Sequence, residues 1–162
     1  LQGPKRILLA QPRPRFAINP LGDLVPIRKI HRYTVTSSSD VVMLPRQRLI
    51  RLLDDCRVTS EELVLGADRI DVILSEDGGG VSEVRGSGRV SVHRPLEGTL
   101  LVGDQLRYAM AQGHLEVTGN PHATLVKGGT TGTMRRMRLH EKDRSVEFFR
   151  GLDQVQINLE QK

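Results

Sequence analysis

From Tyr33 onward, apolar and polar positions alternate along the chain. Ile70, Val72 and Leu74 interleave with Asp71 and Ile73, and Leu106, Tyr108 and Met110 with Arg107 and Ala109. Leu115 and Val117 flank Glu116, Val90 and Val92 flank Ser91, and Val155 and Ile157 flank Gln156. A period of two gives a strand one apolar face and one polar face. Clusters rich in glycine interrupt these runs: Asp77-Gly78-Gly79-Gly80, Gly86-Ser87-Gly88, Gln112-Gly113, Gly119-Asn120-Pro121 and Lys127-Gly128-Gly129. Read as turns between short strands, they predict an all-β sandwich, barrel or solenoid. Pro45 to Asp55, with Leu49, Ile50, Leu52 and Leu53, fits a helical face nearly as well as a strand, and its neighbours favour strand.

The strands repeat. Asp68, Ile70 and Val72 match Asp104, Leu106 and Tyr108 at an offset of 36. Leu106, Tyr108, Leu115 and Val117 match Met137, Leu139, Val146 and Phe148 at 31. Ala123 and Leu125 match Val155 and Ile157 at 32, with Gly119 corresponding to Gly151. Repetition on this scale predicts an array in which each unit stacks on the last.

Charge divides the chain. Residues 1–32 carry seven basic groups against Asp23, a net +6; residues 33–162 carry 17 basic and 18 acidic residues, a net −1. The head also holds Pro4, Pro12, Pro14, Pro20 and Pro26. It reads as a basic, Pro-rich extension or linker over 1–32, ahead of one domain over 33–162. A basic head suits anionic partners, but no recognition helix follows it and aromatics are only 3% of the chain, so nucleic-acid binding is not expected. No apolar run approaches the ~20 residues that span a bilayer as a helix, which predicts a protein peripheral to membranes at most.

Catalytic constellations do not emerge. His31, His93, His114, His122 and His140 lack metal-ligand spacing, and one cysteine cannot build a thiolate zinc site. His114 and His122 lie eight apart and could meet across facing strands. Cys56 sits at a strand position and is expected to be a buried, inert thiol. Gly78-Gly79-Gly80 and Gly128-Gly129 precede neither a Lys-Ser/Thr pair nor a helix, so they read as turns rather than phosphate loops. Asp54-Asp55 and Glu61-Glu62 are neighbours on a strand and make no acid–base pair by spacing. No enzyme activity, metal or cofactor is expected.

The stretch from Asp54 to Gly151 resembles the OstA-like family, the periplasmic β-jellyroll domains of the lipopolysaccharide-export bridge. Cys56-Arg57-Val58-Thr59 followed by Leu63 to Ile70 is similar to that family's V-x-hydroxyl … A-D-x-hydrophobic element. Gly103-Asp104-Gln105-Leu106-Arg107-Tyr108 repeats it. Gly113 to Pro121 is similar to the G-x-hydrophobic-x-hydrophobic-x-G-N element. Gly86-Ser87-Gly88 and Arg150-Gly151 depart from the Gly-Asn pair in the other units. The resemblance implies a repeat-built β-jellyroll, V-shaped or flattened, of many short antiparallel strands. It also implies a periplasmic module that carries lipopolysaccharide or a related lipid and pairs with other jellyroll domains through edge strands.

An alternating sheet folded into a V presents a long apolar interior, and acyl chains gain about 0.8 kcal/mol per buried CH₂ there. The inward positions expected to meet lipid are Ile70, Val72, Leu106, Tyr108, Leu115, Val117, Leu125, Leu139 and Phe148. Nineteen of the 24 basic residues are Arg, which suits bidentate phosphate contacts, although an Arg-rich codon bias explains the same count. The alternative reading is a structural β-solenoid that polymerises end to end without a ligand.

Overall fold

The computed structural model describes residues 5–18, 24–76, 80–142, 145–150 and 153–158. Eleven strands follow one another: β1 (Lys5–Ile18), β2 (Leu24–Ser37), β3 (Val41–Leu44), β4 (Leu49–Thr59), β5 (Val64–Leu74), β6 (Val81–Arg94), β7 (Thr99–Ala109), β8 (His114–Lys127), β9 (Thr130–His140), β10 (Ser145–Arg150) and β11 (Asp153–Asn158). They form one antiparallel sheet in chain order, with β3 set beside β4. The described residues contain no α-helix. The ambiguous stretch after Pro45 is strand from Leu49 on, preceded by a 3-10 turn at Pro45–Gln47.

The strands are longer than the glycine clusters predict. Gly86-Ser87-Gly88 and Gly119-Asn120-Pro121 are not turns; they lie inside β6 and β8. Each marks a bulge, where pairing skips residues and the strand bends. The skips fall at Leu53/Cys56, Gly66/Arg69, Ser87/Val90, Val102/Gln105 and Thr118/Ala123. Because they occur on successive neighbours they align into one crease across the sheet. The crease divides the long strands into two leaves. One holds residues such as 69–74, 105–109 and 114–118, and the other residues such as 64–66, 99–102 and 123–127.

Local chemistry explains the bends. Asp54, Asp55 and Arg89 have positive φ (60°, 43° and 41°), as does Gly88 at 72°. The Ser38 N–H and hydroxyl both donate to the Asp54 carbonyl, at 3.0 and 2.9 Å. Asp68 accepts from Arg89 Nε at 2.7 Å, and Asp104 accepts from the Asn120 backbone N–H at 2.6 Å. The aspartate repeated at an offset of 36 therefore binds the bent backbone, or the side chain at the bend, of the following strand. This gives the A-D-x and G-N elements a structural meaning: they are two sides of one crease.

The leaves face each other. Val58, Leu63 and Leu65 from one leaf and Val72, Val84 and Tyr108 from the other line a single internal void. One hydrophobic core runs from Val35 to Phe148 and takes in every unit of the repeat. Burying each of its larger aliphatic side chains contributes about 1.5–3 kcal/mol.

The repeat holds through the first two matches. β5, β7 and β9 each cross the crease in the same direction, and Met137 and Leu139 on β9 are buried like Leu106 and Tyr108 on β7. The third match does not hold. Ala123 and Leu125 lie in the leaf where β8 continues beyond its bend. Val155 and Ile157 lie in β11, which pairs with Phe148 and Val146 of β10 as a hairpin within the other leaf. Gly151 itself lies outside the described residues.

Within the basic head, β1 pairs with β2 from Lys5↔Ser37 to Ile18↔Leu24, and β2 joins β4 over Thr34, Val35 and Thr36.

Candidate functional site

The nine residues singled out by their alternation converge. Ile70, Val72 and Val117 have 0% exposure, and Tyr108, Leu115 and Leu139 have 1%. Leu106, Leu125 and Phe148 are also buried, and all nine belong to the one core. Inside the closed leaves, space is scarce. One void between them, bounded by Val58, Leu63, Leu65, Val72, Val81, Val84, Tyr108 and Met110, has about 10 Å³. That is at most the room for one water, and its lining is wholly apolar. An acyl chain enters this void only if the leaves part.

The edge of the leaves opposite the crease is closed by a polar group that the alternation did not single out as functional. Arg94 ends β6 in one leaf, and Glu141 follows β9 in the other. Arg94 Nη1 donates to Glu97 at 3.1 and 3.3 Å, and Arg94 Nη2 lies 4.0 Å from Glu141 Oε1. The Tyr108 hydroxyl donates to the same Glu141 oxygen. A Pro95–Glu97 3-10 turn, closed by Gly98 at φ 58°, brings Glu97 back onto Arg94. A signal for Arg94 was present: it continues the inward series Val90, Val92, Arg94, a charge where the pattern wants an aliphatic side chain.

The outer face of one leaf carries a ladder of directly opposed charges: Arg51, Asp71, Arg85, Arg107, Glu116, Arg138 and Glu147, one per strand from β4 to β10. Asp71 accepts from Arg51 Nε at 2.8 Å and from Arg69 Nη2 at 2.6 Å. Arg85 and Arg107 face each other with like charge and share Glu83, at 2.6 and 2.9 Å. Arg138 binds Glu116 at 2.9 Å and lies over the Phe149 ring beside Arg136. A shallow groove of about 470 Å³ runs among Arg69, Arg85, Arg107, Ser87 and Gln105.

Burial pushes the Asp71 carboxyl up, but the hydrogen bonds and charges of Arg51 and Arg69 outweigh it and hold the group at about 2, against an ordinary 3.8. A depressed carboxylate contributes stability that is complete above the unfolded value and is lost as pH falls from about 4 through 2. Asp71→Asn is therefore expected to cost about 1 to 2 kcal/mol at pH 7 and only a few tenths of that near pH 2, where the folded carboxyl is half protonated. Urea titrations of both proteins at the two pH values check this; an equal gap at both would contradict it.

The other chemical candidates are placed as follows. Cys56 is buried, its Sγ lies 3.4 Å from the Asp68 carbonyl, and burial pushes its thiol up, which suits an inert role. His114 does not meet His122, because both lie on β8; its ring faces His140 on β9, 6.2 Å between centroids. Burial, then the charges of Arg138 and His140, pull His114 below the ordinary histidine value. Among the described residues no group of three or more His, Cys, Asp or Glu could hold a metal ion. No helix there is long and apolar enough to cross a membrane.

No family model matches the sequence, and no curated protein matches it. Solved structures do match. One is LptH from Pseudomonas aeruginosa, described as the LptA-homologous periplasmic component of the conserved lipopolysaccharide transport device. It superposes with a TM-score of 0.65 over 77% of this chain and 93% of its own, at 13% identity. The chain has the fold of LptH. The all-β jellyroll implied by the OstA-like motifs is thus the fold observed. At 13% identity with LptH, that agreement lies in the path of the chain rather than in shared side chains.

Proposed function

We propose that this domain is a non-catalytic, periplasmic lipid carrier that holds the acyl chains of lipopolysaccharide, or a lipid of the same build, between its two leaves. The reading is carried by one observation: a fold shared with a lipopolysaccharide-transport component over 93% of that component encloses an unbroken apolar interior. The residues in contact with acyl chains would be Ile70, Val72, Leu106, Tyr108, Leu115, Val117, Leu125, Leu139 and Phe148. Parting the leaves exposes these side chains to water, and the incoming chains bury them again, so one apolar surface replaces another.

Continuity between domains would come from sheet edges. β3 is a four-residue edge strand with Met43 63% exposed, a place where a second jellyroll can add a strand.

The test is lipid capture. The purified domain, mixed with lipopolysaccharide and analysed by native mass spectrometry, is expected to carry bound lipid. A folded domain that carries none, and that forms filaments instead, would favour the ligand-free polymerising solenoid.

A further inference from the structure

The charged group at the edge opposite the crease has one donor without a partner. The Arg94 side chain is only 8% exposed, yet its Nε makes no hydrogen bond, while its Nη atoms reach Glu97 and Glu141. A buried, unpaired guanidinium N–H is costly and calls for an acceptor. The surroundings narrow what that acceptor is. Tyr108, whose hydroxyl binds Glu141, also lines the apolar void between the leaves, together with Met110. The void lies between the leaves, and Arg94 and Glu141 belong to opposite leaves. A molecule sliding acyl chains into that interior where the ends of β6 and β9 meet, on the edge opposite the crease, passes this pair.

We propose that Arg94 and Glu141 form a clasp across the edge of the folded sheet opposite the crease, and that the phosphate of an anionic amphiphile opens it by replacing the Glu141 carboxylate at Arg94. The proposal rests on the lipid-carrier reading and adds to it a port and a headgroup preference. A tetrahedral phosphate offers several acceptor oxygens, so it can engage Nε as well as an Nη of the guanidinium fork, which the carboxylates leave half used. The contact that yields is the weak one: Arg94 Nη2 stands 4.0 Å from Glu141, whereas Glu97 holds the same guanidinium at 3.1 Å from its own leaf. Glu97 then keeps Arg94 oriented while the leaves separate. The Tyr108 hydroxyl holds Glu141 on the far side, so Tyr108 is a positioning residue for the clasp in addition to its place in the core.

The experiment compares uptake of a bis-phosphorylated, hexa-acylated disaccharide lipid, the same lipid after phosphatase treatment, and inorganic phosphate as competitor. Wild type is expected to prefer the phosphorylated lipid about tenfold, the scale of one charge-assisted contact. Glu141→Gln breaks the clasp but keeps Arg94, so it should take up phosphorylated lipid several-fold faster with the preference intact. Arg94→Gln should lose the preference, and Arg94→Lys should retain part of it. Tyr108→Phe, which deletes only the hydroxyl, should speed uptake in the same sense as Glu141→Gln and supplies a conservative variant if Arg94→Gln fails to fold. Unchanged preference in a folded Arg94→Gln, or unchanged rates in Glu141→Gln and Tyr108→Phe, would overturn the clasp while leaving the carrier reading in place. Inorganic phosphate competing as strongly as the lipid would make Arg94 a free-anion site and overturn the port. Uptake of neither lipid by wild type or Glu141→Gln would overturn the carrier reading and the clasp with it.

Discussion

Val117→Asp is expected to unfold the domain. Val117 has no exposure and pairs with Leu106 on one side and Met137 on the other, at the centre of one leaf. A carboxylate there has neither water nor a cation within the core, and burying an unpaired charge belongs to the small class of substitutions that cost about 5 kcal/mol or more. The stability of a whole domain is about 5–15 kcal/mol. Far-UV circular dichroism should show loss of strand signal, or a melting temperature lowered by tens of degrees. Val102→Asp is the matched control: the same change at a side chain 42% exposed should alter stability by about 0.5 kcal/mol or less. If Val117→Asp melts like wild type, the inward face has been assigned to the wrong side of β8. Loss of lipid capture in this variant would report unfolding rather than a missing contact.

The second large effect belongs to the crease. Gly119→Ala is expected to cost about 3 kcal/mol, the upper end of what overpacking brings. A Cβ on Gly119 would overlap the His122 carbonyl and the Ala123 nitrogen, which are backbone atoms of the same bulge and cannot rotate away. Gly128 gives the contrast. Its φ is +54° and nothing lies within 4 Å of the place a methyl group would take, so Gly128→Ala should cost only the left-handed backbone penalty of about 1–2 kcal/mol. Urea midpoints for the two variants separate a steric requirement from a conformational one. Equal, small shifts would mean that β8 bends without needing glycine at its bulge.

These two glycines also show where the sequence was readable and where it was not. Alternation is local, so the strand faces at Ile70 and Val72, or Leu115 and Val117, follow from a few neighbouring residues and match the observed burial. A turn and a bulge draw on the same residue types, because both need left-handed or close-packed backbone. Gly119-Asn120-Pro121 and Gly86-Ser87-Gly88 therefore looked like chain reversals; only the pairing register, a property of the neighbouring strands, makes them bends. The hairpin of β10 and β11 misled the repeat for the same reason, since Val155 and Ile157 have the right spacing in the wrong leaf. The clasp joins Arg94 to Glu141 across 47 positions, a distance that no local pattern spans. Its trace was the charged residue ending an inward series. The outer ladder was half legible, since Asp71, Arg107 and Glu116 fill the polar beats of their strands but their cross-strand partners depend on register.

In the proposed carrier, lipid lies between the leaves rather than on the outer face, where the Arg69–Arg85–Arg107 groove offers a charged alternative. Site-specific photo-crosslinking decides between them most directly. A crosslinking side chain at Leu106, Val117 or Leu125, in variants shown to fold, should capture lipopolysaccharide, while the same group at Arg107 or Glu116 should not. Capture at Arg107 and Glu116 with none at the inward positions would contradict binding between the leaves and place the lipid on the outer face.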